Sequence, residues 1–434
     1  METTNIAILG LGNVGTGVAR LLMDHSDRIA RHAGRKLHLK RAVVRDMRKA
    51  RSCTLPSGVL TDNVDEVIND PEIQVVAQLI GGTEPARTIM LRLLESGKDV
   101  VTANKALLAE HGPELFDRAR ELGRSIAFEA AVAGGVPIVA NISQHLSANQ
   151  IESLQGILNG TSNFIVSRME EHGLGYDEAV AEAQRRGYAE ADPAMDVDGS
   201  DAAQKLAILA HLAFGARVHW RDIPRQGIDT LDVADIRYAR ELGYRIKLLA
   251  VAQLADEGLE LNVSPMLVKM GTPLAEVRGA NNAISVNADA VGRLFFHGLG
   301  AGQMPTASAV VADMIDMAVG RTAITFRTLE LWSNRPARVR PRDYANVTGR
   351  FYLRFNVLDS PSVLAQIAGE LGRQGISIAS VIQHGAQDEE DEAGVVPLVI
   401  MTHTASEGAT RSAADAIDRL DCVRNKSVRM RVWE

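Results

Sequence analysis

Five carboxylates, Glu190, Asp192, Asp196, Asp198 and Asp201, crowd just ahead of one lysine, Lys205, in an otherwise apolar stretch. Ala202, Ala203, the run 206–210 and the run 212–214 are apolar nearly all round at helical spacing, so the helix carrying Lys205 is predicted to be buried. Asp201 and Lys205 stand at i and i+4 and share one face of it. Burial disfavours a lysine's charge and nearby carboxylates restore it, and an ammonium tuned in this way can exchange a proton with an alcohol or carbonyl oxygen. An ordinary helix salt bridge is the alternative, because such pairs are common on exposed helices.

A second group lies at the N-terminus. Gly10-Leu11-Gly12-Asn13-Val14-Gly15 follows an apolar run at 5–9 and leads into helical spacing over 18–23. A bare GxGxxG is a weak signal, but strand, glycine turn and helix in this order make a dinucleotide cradle. Gly10, Gly12 and Gly15 permit the tight turn, the approach of backbone to a pyrophosphate and the packing of helix on strand. The second strand ends at Val44-Arg45-Asp46. An NAD-specific protein places a carboxylate on the ribose hydroxyls there. Arg45, followed by Arg48, Lys49 and Arg51, favours the 2′-phosphate of NADP, with a solvated loop as the alternative, and Asp46 keeps NAD open. Thr102-Ala103-Asn104-Lys105 ends a later strand, which puts Lys105 either at the ligand crevice or on the surface with its ammonium in water.

The elements that must position these residues follow from periodicity. Apolar runs at 37–44, 73–80, 99–102 and 125–128 alternate with helical segments at 84–95 and 113–122, which predicts an α/β fold opening with a doubly wound, Rossmann-like parallel sheet over 1–137. From 138 to 304 the texture is mixed α+β: helices near 138–146, 164–171 and 201–214, and strands at 151–158, 248–254 and 259–268. An apolar helix at 306–319, introduced by the loop Gly298-Leu299-Gly300-Ala301-Gly302, is expected to return with residues 305–325 to the first domain. A Pro/Arg-rich linker at 326–348, with Arg335, Pro336 and Arg338, precedes a βαββαβ unit at 349–434. Its expected parts are a strand to 358, a helix at 363–372, a strand at 376–383, an acidic loop at 388–392, a strand at 396–402, a helix at 413–420 and a strand at 428–432.

Composition removes several classes. At 434 residues and 46% hydrophobic, the chain can fill two or three cores. A formal charge of -7 with only 4% aromatics provides neither the field nor the stacking platforms of a nucleic-acid binder. Cys53 and Cys422 have no paired spacing, so a reducing cytoplasm is expected. Neither a leader peptide nor a membrane span is expected.

Taken together, Gly10-Leu11-Gly12-Asn13-Val14-Gly15, Thr102-Ala103-Asn104-Lys105, Ile157-Leu158-Asn159-Gly160-Thr161-Ser162-Asn163 and Gly187-Tyr188-Ala189-Glu190-Ala191-Asp192-Pro193, with Asp201 and Lys205, resemble the homoserine dehydrogenases over residues 1 to about 320. The resemblance implies NAD(P)-dependent interconversion of L-homoserine and L-aspartate 4-semialdehyde, in threonine, methionine and isoleucine biosynthesis. It implies that Lys205 and Lys105 are catalytic lysines and that Asp201 orients the site. Glu190 and Asp196 would contact the substrate, and Thr83 and Gly302 would line the cofactor together with Gly10, Gly12, Asn13, Val14, Gly15, Arg45 and Lys105. It further implies a monovalent cation, sodium, held by Glu129 and the backbone of Val132, Gly134 and Val136, and a homodimer or homotetramer.

The last stretch is similar to an ACT domain through Val357-Leu358-Asp359-Ser360-Pro361-Ser362-Val363-Leu364 and Gly375-Ile376-Ser377-Ile378, which implies threonine as an effector. The common pattern has Gly where Ser362 stands, so a purely dimerising module is the alternative. Two other identities compete. An aspartate-semialdehyde dehydrogenase needs a thiolate nucleophile at an element end, and Cys53 and Cys422 lie elsewhere. A non-catalytic nucleotide sensor has no use for Lys105, Glu190, Asp201 and Lys205.

Overall fold

The computed structural model describes residues 1–328, 337, 339–383 and 394–433; the expected linker residues Arg335, Pro336 and Arg338 and the acidic loop at 388–392 lie outside them. The first sheet comprises β1 (Thr3–Leu9), β2 (Lys36–Val43), β3 (Leu60–Thr61), β4 (Ile73–Gln78), β5 (Asp99–Thr102) and β6 (Ile126–Ala127). Its order is β3-β2-β1-β4-β5-β6, parallel throughout. Ile6, Ala7, Ile8 and Leu9 are fully buried, as a central parallel strand covered on both faces requires. The strand order reverses between β1 and β4, and that switch point is where a doubly wound sheet leaves a crevice.

Two helices pack side by side on this sheet. Asn13–Asp24 follows the glycine turn, and Gln303–Ala318 comes back from far along the chain, sharing one core cluster with it through Val18, Ala19, Ala307, Val310 and Met314. The fit is close: a Cβ on Gly17 would lie 2.9 Å from Gln303 Cγ. The Lys105–Glu121 helix corrects the sequence expectation, for it begins eight residues before Pro113, which sits inside it. An interior proline costs about 3 kcal/mol, but the Asn104 cap and the burial of Leu107, Leu108, Leu115 and Phe116 outweigh it.

The second sheet contains β7 (Ile151–Ile157), β8 (Tyr244–Ala255), β9 (Gly258–Lys269), β10 (Asn281–Ala288), β11 (Gly292–Leu299), β12 (Thr348–Leu358), β13 (Ile378–Gln383), β14 (Val395–Thr402), β15 (Ala405–Ser406) and β16 (Val423–Trp433). The order is β11-β10-β7-β8-β9-β16-β12-β14-β13, with β15 beside β12. The β10/β11 hairpin and the helices Tyr176–Arg185 and Val233–Glu241 were not anticipated; Asn and Gly interrupt the apolar runs of the hairpin. The segment expected as one helix at 138–146 is a short α-helix, Ile138–Ala140, running into a π-helix, Asn141–His145.

Within the C-terminal part, β12, the helix Val363–Arg373, β13, β14, the helix Glu407–Ile417 and β16 form a split βαββαβ unit of ferredoxin-like order, β16-β12-β14-β13. Phe351, Leu353, Phe355 and Val357 alternate onto its helices Val363–Arg373 and Glu407–Ile417. Its sheet is continuous with that of the middle region, because β16 pairs in parallel with β9 at Arg431↔Met266, Val432↔Leu267 and Trp433↔Val268. Among the described residues no helix is long and apolar enough to cross a membrane.

Candidate active site

At the switch point, Gly10 is left-handed (φ 99°), and a Cβ on it would meet the Leu79 carbonyl oxygen at 3.0 Å. A Cβ on Gly15 would come within 1.9 Å of the Gly10 oxygen, so only glycine lets the helix start this close to the strand. Gly12, the N-cap of the Asn13–Asp24 helix, has open space where a side chain would stand. Asn13 and Val14 open that helix, and the Asn13 carbonyl accepts from Gln303 Nε2 at 3.0 Å. Gln303 begins the second helix, whose N-cap is Gly302 (φ 116°). Two helix N-termini therefore converge on one open glycine turn, an arrangement suited to phosphates.

Arg45 is exposed just past β2, while Asp46 is engaged locally: its carboxylate accepts the Arg48 N–H at 2.8 Å and its carbonyl accepts from Arg51 at 2.6 Å. Thr83 is half-buried in the loop after β4. Asn104 ties that loop to Lys105. Its side-chain oxygen caps the helix at Leu107 N–H (3.0 Å), and its amide donates to the carbonyls of Ile80 (2.9 Å) and Gly82 (2.7 Å).

From there the chain of contacts reaches the acidic cluster. Lys105 Nζ lies 2.9 Å from Asp201 Oδ1, and Lys205 Nζ lies 2.7 Å from Asp201 Oδ2. Asp201 is buried, the Lys205 side chain is 11% exposed and that of Lys105 is 38% exposed. The i,i+4 pair is thus present, but inside the protein and shared with a lysine from another helix, unlike an exposed helix pair. Lys105 rests its ammonium on that carboxylate, which the surface reading did not foresee.

The electrostatics separate the two lysines. Burial pushes Asp201 up, but Lys205 and Lys105 together outweigh it and hold its carboxyl well below the usual range. The attraction of Asp201 exceeds the cost of burial at Lys105 and raises its pKa, with Asp196 and Glu190 adding to the effect. At Lys205 burial wins over Asp201, and Lys105 adds repulsion, so the pKa is lowered. Asp196 is half-buried, which raises its pKa, and Glu190 is exposed at the edge.

Three groups here escaped the sequence reading. Asn159 donates from one amide nitrogen to both Asp201 Oδ2 and Asp196 Oδ1, each at 2.8 Å, while its oxygen caps the Gly160–His172 helix at Ser162 N–H (2.7 Å). Asn ahead of an apolar helical run is a legible N-cap signal; its second duty is not. The Leu158 carbonyl accepts from Lys205 (2.7 Å) and from Asn282 (3.0 Å), and Asn282 sits in the unanticipated β10.

The expected cation residues lie beyond β6. Glu129 is buried, and its two oxygens accept the N–H groups of Val139 (2.9 Å) and Ala140 (2.7 Å); burial pushes its pKa up. Val132 and Val136 are buried, the Val136 carbonyl accepts from Ile138 N–H at 2.8 Å, and Gly134 is left-handed (φ 39°) against Gly300. Among the described residues no three His, Cys, Asp or Glu side chains cluster as a metal site.

A dinucleotide cradle opening beside two lysines on one buried carboxylate defines the class, an NAD(P)-dependent oxidoreductase. Residues 137–315 match the family model of homoserine dehydrogenase, and residues 10–129 match that of its NAD binding domain. The homoserine dehydrogenase of Neisseria gonorrhoeae is 43% identical over 98% of this chain and 97% of its own. The crystal structure of a homoserine dehydrogenase from Thiobacillus denitrificans superimposes with a TM-score of 0.92 at 42% identity, covering 100% of this chain and 99% of that one. A hyperthermophilic archaeal homoserine dehydrogenase in complex with NADPH gives a TM-score of 0.61 at 26% identity over 72% of this chain and 97% of that one. The chain belongs to the homoserine dehydrogenase family. Its activity is the NAD(P)-dependent interconversion of L-homoserine and L-aspartate 4-semialdehyde.

Proposed function

We propose that Lys205 exchanges the proton with the substrate oxygen, Lys105 stabilises charge on that oxygen, and Asp201 holds both ammoniums in place. The observation that carries this reading is the single buried carboxylate shared by two lysines of unequal exposure. When bound, the nicotinamide supplies hydride to the aldehyde carbon or accepts it from the alcohol carbon. As the substrate oxygen gains negative charge, an ammonium already oriented by Asp201 needs no reorganisation to stabilise it and donate its proton. The lowered pKa of Lys205 favours its neutral form, the base for alcohol oxidation. Glu190 binds the substrate amino group, and Asp196, held by Asn159, faces the same end.

NADP is the preferred cofactor on this reading. Exposed Arg45 is available to a 2′-phosphate, whereas the Asp46 carboxylate is occupied by the Arg48 N–H. Gly10, Gly12, Asn13, Val14 and Gly15 hold the pyrophosphate, with Thr83 and Gly302 lining the site. For the sodium ion, the oxygen-only donors of Glu129, Val132, Gly134 and Val136 suit a hard monovalent cation, and the buried Glu129 carboxylate keeps lone pairs beyond its two N–H bonds.

We divide the chain into a dinucleotide domain (1–137, with 305–325), a catalytic and dimerisation domain (138–304), a linker (326–348) and an ACT regulatory domain (349–434). A groove of about 430 Å3 beside Asp359, Ser362 and Gln383 is the place for threonine. Ser362 keeps the left-handed turn (φ 72°) that glycine usually makes, which supports an effector reading despite the substitution. The β11 edge, exposing Phe295 and Leu299, is the surface on which a homodimer would form, and two free thiols fit the cytoplasm.

The test is turnover of L-homoserine with NADP or NAD, followed through the reduced cofactor's absorbance, for the wild type and Lys205→Ala. The variant should keep its affinity for NADP while kcat falls about 10²–10⁴-fold. A variant that retains kcat would remove Lys205 from the proton path.

A further inference from the structure

The outer edge of β9 is shared by two partners. At residues 266–268 it pairs with β16, and at Val263 it pairs with the segment 224–226, through Val263 N–H to Pro224 O (2.9 Å) and Gln226 N–H to Val263 O (2.8 Å). A cavity of about 390 Å3 lies where these partners diverge, closed on its far side by the Glu407–Ile417 helix. Nothing in the proposed reaction uses it.

Four guanidinium groups line this cavity: those of Arg225, Arg411, Arg429 and Arg431. Two are matched, Arg429 by Glu407 and Arg431 by Glu260, the latter at 2.6 Å. Arg225 stacks over Trp220 and Arg411 is exposed; among the described residues neither faces a carboxylate in an ion pair. The lining therefore carries uncompensated positive charge. One donor is also left over in the interior: the Arg431 side chain is 4% exposed, and among the described residues its buried Nη2 has no hydrogen-bond partner. Tyr344 completes the set. Its hydroxyl accepts from Asn262 Nδ2 at 3.2 Å and among the described residues donates to no acceptor, and burial pushes its pKa up to about 12, which keeps it protonated at neutral pH.

We propose that this junction cavity is a binding site for a small oxyanion, a carboxylate or a phosphate, held by Arg225, Arg411, Arg431 and Tyr344. Unpaired guanidinium and hydroxyl donors lining one cavity, one of them on a buried arginine, beside excess positive charge are the chemistry such an anion satisfies. The site also touches the catalytic region. A Cβ on Gly199 would lie 3.9 Å from Arg225 Cβ and 3.2 Å from Val263 Cγ1, and Ile228 N–H donates to Val197 O at 2.8 Å. Gly199 is the N-cap of the helix bearing Asp201 and Lys205. An anion fixing Arg225 braces the start of that helix.

Calorimetric titration of the full-length protein, saturated with NADP so that the glycine turn is filled, with inorganic phosphate and separately with succinate at constant ionic strength, tests the site. Saturable binding of at least one is expected, and the tighter arm identifies phosphate or carboxylate. In Arg225→Gln/Arg411→Gln the affinity should fall roughly tenfold or more, as when charge-assisted hydrogen bonds are lost. The exposed Arg411→Gln alone, which leaves the interior untouched, should weaken it in the same direction. No saturable binding of either anion, or equal affinity in wild type and variants, would overturn the proposal. Amide exchange at 197–203 should slow when the anion binds; binding with unchanged exchange there would overturn the coupling to the catalytic helix.

Discussion

Asp201 and Asp235 are both buried aspartates that accept several donors, and their partners make them opposites. Asp235, from the Val233–Glu241 helix, is gripped by Arg354 of β12, Nε to Oδ1 at 2.6 Å and Nη2 to Oδ2 at 2.8 Å, and by the Tyr352 hydroxyl at 2.9 Å. Burial works against the Arg354 charge, but Asp235 more than compensates and raises its pKa; burial and Asp235 likewise push Tyr352 up. None of those protons moves near neutral pH, and the fork fixes direction as well as charge. At Asp201 the donors are two lysines, whose ammoniums are point charges able to lose a proton, and one of them has a lowered pKa. A buried carboxylate is therefore neither structural nor catalytic in itself. Arginine and tyrosine make it a rivet between the C-terminal unit and the middle region, whereas under the proposed mechanism paired lysines make it the fixed end of a proton exchange.

The largest effect should come from abolishing that mobility without removing charge. Lys205→Arg retains a cation for Asp201 but cannot deprotonate, so kcat should fall about 10²–10⁴-fold while NADP affinity stays level. Turnover near wild type would collapse the contrast between the two aspartates.

Next comes the converse variant. Asp235→Asn leaves Arg354 buried without its counter-charge, a loss of about 3–5 kcal/mol, read as a lower urea midpoint, with kcat/KM of the folded fraction little changed. If Asp235→Asn instead abolished catalysis without destabilising the chain, the rivet reading would be wrong.

A subtler effect is expected in the pH profile. Under the proposed mechanism alcohol oxidation needs neutral Lys205, so its acid limb should report that pKa, which burial lowers. Asp201 attracts the proton to Lys205, and Asp201→Asn removes the attraction. The limb should move to lower pH, on top of a reduced plateau, and a shift upward would contradict the electrostatics. For stability the sign is separate: the folded pKa of Asp201 is depressed, so its contribution is fully present above the unfolded value of about 3.9 and is lost only as pH falls through the folded one.

The smallest effect belongs to Tyr352→Phe, which removes one hydrogen bond to Asp235 and leaves the Arg354 fork. A loss of about 1.5–3 kcal/mol with an unchanged pH profile is expected; a shifted profile would mean that the two clusters communicate.

Much of the glycine turn and of the lysine–carboxylate cluster was legible because it is encoded locally. The glycine spacing, the i,i+4 relation of Asp201 and Lys205 and the apolar face around them depend only on chain neighbours and helix or strand periodicity. The start of the Lys105 helix was misplaced because the Gly112-Pro113 pair is a strong local stop signal, overridden by an Asn104 cap and a buried face. The hairpin containing Asn282 was missed because its asparagines and glycines blur the alternation on which strand reading depends.

By itself, then, the sequence determined which residues could carry the chemistry: a cradle at Gly10–Gly15, an acidic run ending in Asp201 and Lys205, and a lysine after a parallel strand. Only the tertiary structure decided that Lys105 and Lys205, a hundred residues apart, meet on opposite oxygens of one carboxylate. It alone decided that Asn159 clamps that carboxylate and that β16 joins β9 to make one continuous sheet. The physical reason is that periodicity specifies which face of an element is buried, while the partner met at that face depends on how distant elements pack and which buried polar groups they must satisfy together.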